Sequence, residues 1–164
     1  MTSADALTRL GDRGLTLAVA ESVTGGRLAA SFTSVPGASR VFVGGVVSYA
    51  TAVKVSVLGV EESLVDTEGV ISGTCAEAMA TGVRRVLGAD VSLATTGVAG
   101  PDEQEGHPAG TAFVGLAWSG GSLSRRLSLT GDRSSIQDSV VAAAVELLEE
   151  WLSGGLPVEQ PGLG

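Results

Sequence analysis

Apolar residues in this chain come in short, dense stretches separated by glycines, and strand-like runs alternate with segments of helical spacing. Leu15 to Ala20 and Val41 to Tyr49 are apolar at nearly every position, which suits strands covered on both faces. Residues 4–13 place Ala6, Leu7 and Leu10 on one side ahead of Gly11 and Gly14, and predict a short amphipathic helix. Thr24 to Thr33, with Leu28 and Phe32 four apart, predicts a second helix; Val35 to Ser39 reads as a turn, and Thr51 to Leu58 as a third helix. Glu61 to Val70 reads as an acidic connector. Thr74 and Glu77 have capping-box spacing ahead of the stripe Met79, Val83 and Leu87. Val91 to Thr95 predicts a third strand, and Thr111–Trp118 with Leu123–Leu129 a hairpin across Ser119–Ser122. A last helix begins near Ser134, with Gln137 as its capping partner, and carries Ile136, Val140, Ala144, Leu148 and Trp151 on one side. The expected architecture is a three-layer α/β/α domain with a mixed sheet over residues 1–152, followed by a flexible tail over residues 153–164.

Composition narrows the class. A formal charge of −8, from 18 acidic and 10 basic residues, excludes the basic footprint of a nucleic-acid binder. No apolar run approaches the ~20 residues of a membrane span, and Met1–Asp5 has neither the charge nor the apolar core of a signal peptide. The single cysteine, Cys75, cannot form an intramolecular disulfide and agrees with a reducing compartment, so a cytoplasmic enzyme or binding protein is expected. The 24 glycines follow no fixed period and fall mainly at the joins between elements.

One of those joins is a candidate for chemistry. Ala20-Glu21-Ser22-Val23-Thr24-Gly25-Gly26 reads as strand end, tight turn and helix start, able to hold an anion or present a nucleophile. In an open α/β sheet, ligands bind beyond the carboxyl ends of the strands, so the loops at Ser22, Tyr49 and Thr96 are the ones to compare. Serine needs a base, and Lys54 can serve if burial lowers its pKa toward neutrality; Tyr49 would relay the proton or orient the amine. Local pattern alone allows plainer roles: a cap or turn for Ser22, a wall residue for Tyr49, a solvated side chain for Lys54. Asp102, Glu103, Glu105 and His107 lack the second histidine or cysteine of a metal site and read as a solvated loop.

Taken together, the motifs are more specific. The segments Ala20–Gly26, Ser48–Lys54 with Leu58-Gly59-Val60, Thr96-Gly97-Val98-Ala99-Gly100-Pro101, Pro108–Thr111 and Gly131-Asp132-Arg133 resemble the CinA C-terminal domain family in unbroken order over about residues 4–152. The resemblance implies a hydrolase of pyridine nucleotide recycling, an amidohydrolase that converts nicotinamide mononucleotide and water to nicotinate mononucleotide and ammonia. It implies Ser22 as nucleophile with Lys54 and Tyr49 as proton-handling partners, and no cofactor or metal. Backbone N–H groups near Thr96 and Gly97, or around Ser22, would hold the oxyanion. Thr24, Gly25, Gly26, Gly100 and Arg133 would contact the substrate. A homo-oligomer is expected from the family and the exposed hairpin edge. Val23 and Thr51 stand where the family commonly has Cys and Asn, and Asp102–Pro108 replaces a glycine-rich loop ending in Lys-Pro. A non-catalytic nucleotide- or partner-binding module of the same fold is the alternative.

Overall fold

The computed structural model describes residues 2–156, so the part of the expected tail over residues 157–164 lies outside the described residues. The chain runs α1 (Ser3–Asp12), β1 (Leu17–Glu21), α2 (Arg27–Thr33), β2 (Phe42–Val47), α3 (Thr51–Ser56), α4 (Glu62–Glu68), α5 (Gly73–Leu87), β3 (Val91–Gly97), β4 (Thr111–Trp118), β5 (Gly121–Ser128) and α6 (Arg133–Leu152). The five strands form one mixed sheet in the order β2-β1-β3-β4-β5, with β2, β1 and β3 parallel and the β4–β5 hairpin antiparallel to them.

Strand alternation divides the core into two layers. Leu17 and Val19 of β1 point to one face, where they meet α1, α2 and α6 through Leu10, Leu28, Phe32, Ile136 and Val140. Ala18 and Ala20 point to the other and pack on Cys75, Met79 and Val83 of α5. Burying each of the larger apolar side chains contributes about 1.5–3 kcal/mol. Small residues let α5 come close to its neighbours. A Cβ added at Gly82 would overlap the Leu58 carbonyl group, standing 2.9 Å from its carbon and 3.1 Å from the Leu58 Cβ.

Several expectations are corrected. Glu62–Glu68 is a helix rather than a connector. The second strand is not buried on both faces, because it is a sheet edge: Val43 and Val47 are exposed. The caps lie two residues upstream of the expected ones, with Ser72 accepting from the Cys75 N–H and Asp132 from the Ser135 N–H. The residues expected to close those boxes bond elsewhere: Glu77 accepts from the Ser122 and Ser124 hydroxyls, and Gln137 donates to the Val23 carbonyl.

Register positions the candidate chemistry. Glu21, the last residue of β1, is level with Val47 of β2 on one side and Thr95 of β3 on the other. The chain therefore leaves three adjacent parallel strands at the same edge, bringing the segments after Glu21, Val47 and Thr95 side by side.

Candidate active site

Ser22 continues the line of β1 by donating its N–H to the Thr95 carbonyl at 3.0 Å, and then the chain turns sharply. Gly25 donates back to the Ser22 carbonyl at 3.1 Å. Gly26, at φ 107°, caps α2 from a left-handed conformation that favours glycine and supplies no side chain to the cap. Because the turn precedes the helix, the N–H groups of Val23 and Thr24 carry no hydrogen bond among the described residues. Ser22 is thus a turn residue with its hydroxyl available, and the α2 cap lies elsewhere.

Lys54 comes from α3, whose one and a half turns fold back over the end of β2. It is 1% exposed, not the solvated residue that local pattern allows. Its Nζ lies 3.0 Å from Ser22 Oγ, 2.8 Å from the Ser48 carbonyl and 3.1 Å from the Tyr49 carbonyl. Burial lowers the Lys54 pKa, against the smaller opposing effects of Cys75 and Glu105. The hydrogen inventory then fixes orientation. The amine donates to all three oxygens; on losing a proton it would keep two hydrogens for the carbonyls of Ser48 and Tyr49 and turn its lone pair to the Ser22 hydroxyl. A buried nucleophile and a neutral base at hydrogen-bond distance can transfer a proton directly. The Cys75 thiol, buried beneath, is pushed up to about 11 by desolvation and stays protonated at neutral pH.

Ser22 and Lys54 form the floor of a cavity of about 420 Å³ whose lining includes Val23, Tyr49, Thr96, Gly97, Gly100 and Arg133. Arg133, at the start of α6, crosses the mouth by donating to the Gly100 carbonyl at 2.6 Å and to the Tyr49 hydroxyl at 3.1 Å. Asp102 and Glu103 also line the cavity, so its acidic side chains outnumber the one exposed cation, Arg133.

The structure redistributes the expected roles. Tyr49, 60% exposed as a residue, meets Lys54 through its backbone carbonyl, while its phenol is held by Arg133. Of the two expected roles, relaying the proton or orienting the amine, the contact between Tyr49 and Lys54 bears on the second, and it is made by the backbone. Thr24 is 1% exposed and its hydroxyl is bonded to Glu21 and Thr95, so it faces the interior rather than a substrate. Gly25 and Gly26 lie outside the cavity lining. Thr96 lines the cavity but spends its hydroxyl on the Val70 carbonyl. The acidic loop is folded rather than simply solvated: Gln104 and His107 exchange backbone hydrogen bonds, and Glu105 accepts from the N–H groups of Val70 and Ile71. Sequence reasoning missed Ser48, which acts through its carbonyl and therefore leaves no side-chain signal. It also missed Glu21, whose signal was a lone carboxylate closing an otherwise apolar strand.

Residues 2–152 match the model of the CinA C-terminal domain. The chain is 54% identical over 142 residues to a "CinA-like protein" of Frankia casuarinae, covering 87% of this chain and 33% of that protein. It is 45% identical over 143 residues to a "Putative competence-damage inducible protein" of Desulforamulus reducens, covering 87% of this chain and 35% of that one. The chain thus spans about a third of the length of these curated relatives. Among solved structures, the competence damage-inducible protein A of Klebsiella pneumoniae superposes with a TM-score of 0.88 at 30% identity, over 93% of this chain and 98% of that one. A CinA superfamily protein of Escherichia coli gives a TM-score of 0.88 at 29% identity, over 91% of this chain and 87% of that one.

Proposed function

We propose, from the premise that the chain belongs to the CinA C-terminal domain family, that it is a serine amidohydrolase acting on nicotinamide mononucleotide. The observation that carries this reading is the buried Lys54 amine at 3.0 Å from the Ser22 hydroxyl, also bonded to the carbonyls of Ser48 and Tyr49.

In this reaction Lys54 Nζ takes the Ser22 proton as Oγ attacks the carboxamide carbon. The carbonyl oxygen becomes an oxyanion, which the unpaired N–H of Val23, in the cavity lining beside Ser22, stabilises. Lys54, now protonated, returns the proton to the departing nitrogen; the C–N bond breaks and ammonia leaves, with the acid joined to Ser22 as an ester. Water then attacks the ester, giving a proton to Lys54; the bond to Ser22 Oγ breaks, Lys54 returns that proton to Oγ, and nicotinate mononucleotide leaves. Arg133 at the mouth binds the phosphate. The test is ammonia release from nicotinamide mononucleotide by the purified protein and by Ser22→Ala. Release by the wild type and none by the variant is expected; equal release by both overturns the mechanism.

Asp102 and Glu103 in the lining oppose an anionic ligand and so favour, within a second reading as a non-catalytic nucleotide- or partner-binding module, its partner-binding form. Under that form the wild type neither binds the nucleotide in calorimetry nor releases ammonia.

A further inference from the structure

We infer that Glu21 is a positioning residue for Ser22: its buried carboxylate ties the strand end, the turn and the first turn of α2 into one unit that aims the nucleophile and keeps the neighbouring N–H groups free. The inference rests on the reading of Ser22 as a nucleophile.

Glu21 is 1% exposed, on the face of β1 where Leu17 and Val19 meet the apolar layer. A carboxylate buried there is costly unless its oxygens are satisfied. One oxygen accepts from the Thr24 hydroxyl at 2.6 Å and the Leu28 N–H at 2.7 Å, and the other from the Ala29 N–H at 3.0 Å. Thr24 Oγ1 lies a further 2.7 Å from Thr95 Oγ1 on the neighbouring strand.

A helix is ordinarily capped by the side chain of its N-cap residue. Here that position is Gly26, which has none, and Glu21 bonds the second and third N–H groups of α2 across the turn. A cap supplied from position 26 would secure the helix alone. Supplied from the residue before Ser22, it joins both ends of the turn, while the Thr24 bond holds its middle. The Glu21 backbone carbonyl extends the same unit toward the base, accepting from the Ser48 N–H at 2.7 Å; the Ser48 carbonyl in turn accepts from Lys54.

The experiment uses a fluorophosphonate, which reports on the nucleophile without the natural substrate: Ser22 Oγ bonds to phosphorus, fluoride leaves and the proton passes to Lys54. Labelling rate and final stoichiometry are read by intact mass for wild type, Glu21→Gln and Thr24→Val. Calorimetry compares nicotinamide mononucleotide binding by Ser22→Ala and by Ser22→Ala/Glu21→Gln. Glu21→Gln is expected to label roughly 100-fold more slowly, the scale of a small misplacement of a reacting group, yet to full stoichiometry and with nucleotide binding unchanged. A purely structural role would instead give wild-type rate at reduced stoichiometry, which overturns the inference. If Glu21→Gln does not fold, Thr24→Val decides: slower labelling supports the inference and the wild-type rate overturns it. A wild type that releases no ammonia but labels at a Glu21-dependent rate sinks the substrate while the positioning role stands. A wild type that does not label at all overturns the role with the nucleophile.

Discussion

Replacing Lys54 with Met tests the proposed chemistry most directly, because the two side chains are similar in length and only the amine is lost. Ser22 then has no proton acceptor at 3.0 Å, and the catalytic loss expected for a positioned base is at least about 10³-fold in kcat/KM, or about 4 kcal/mol. Stability responds to two opposed effects. The Ser48 carbonyl, in a fully buried residue, loses its donor, at a cost of about 1–3 kcal/mol, while the cavity lets water replace the donor to Tyr49. Against this, Met removes the desolvation of a buried amine. The pH dependence separates them. Burial depresses the folded-state pKa of Lys54 below the ~10.4 of an unfolded chain, so between those values the unfolded state binds more protons. Wild-type stability therefore rises with pH through that window, and its Tm rises relative to that of Lys54→Met. Activity follows the same group, with kcat/KM rising with pH to a plateau above the folded-state pKa. Ammonia release and thermal unfolding, measured for both proteins from neutral to alkaline pH, check the argument. Activity of the variant within tenfold of wild type, or a Tm gap that does not change with pH, refutes it.

Tyr49→Phe removes the phenol that holds Arg133 but leaves the carbonyl that binds Lys54, so KM should rise about 5-fold with kcat unchanged. Steady-state kinetics check this, and a large fall in kcat would return the phenol to proton handling. Gly82→Ala gains up to about 1 kcal/mol of helix propensity, but its Cβ overlaps the backbone of Leu58 and overpacking of that kind costs more. A net loss of about 2 kcal/mol, a fall in Tm of roughly 4–8 °C by calorimetry, is expected; an unchanged or higher Tm contradicts it.

The α/β layering was legible in the sequence because Leu15–Ala20 and Val91–Thr95 are apolar on both faces and the helices keep their stripes. Where the reading failed, tertiary contact decided. Nothing local distinguishes Ser72 from Thr74 as a cap, and Val41–Tyr49 looks like a central strand although among the described residues no strand flanks its outer edge. In the candidate site, Ser22, Lys54 and Arg133 were visible as residue types at strand ends and helix starts. Their separation into a buried pair and a cation at the mouth depends on the register of three strands, which no single segment encodes. The misplacement of Thr24 and of the Tyr49 phenol has one cause: a motif names the residue and leaves open which of its atoms faces the cavity.

The crossover from β1 to β2 places Ser22 and Lys54 within the first third of the chain, whereas the loop after β3 and Arg133 come from the last two-thirds. Reactivity and recognition are therefore inherited on separate stretches of sequence. The far stretch, including Asp102–Pro108, can vary without touching the bonds that hold the serine and the amine together. Under the proposed reaction, a scaffold divided in this way can change what its mouth admits while the serine–amine pair is left in place.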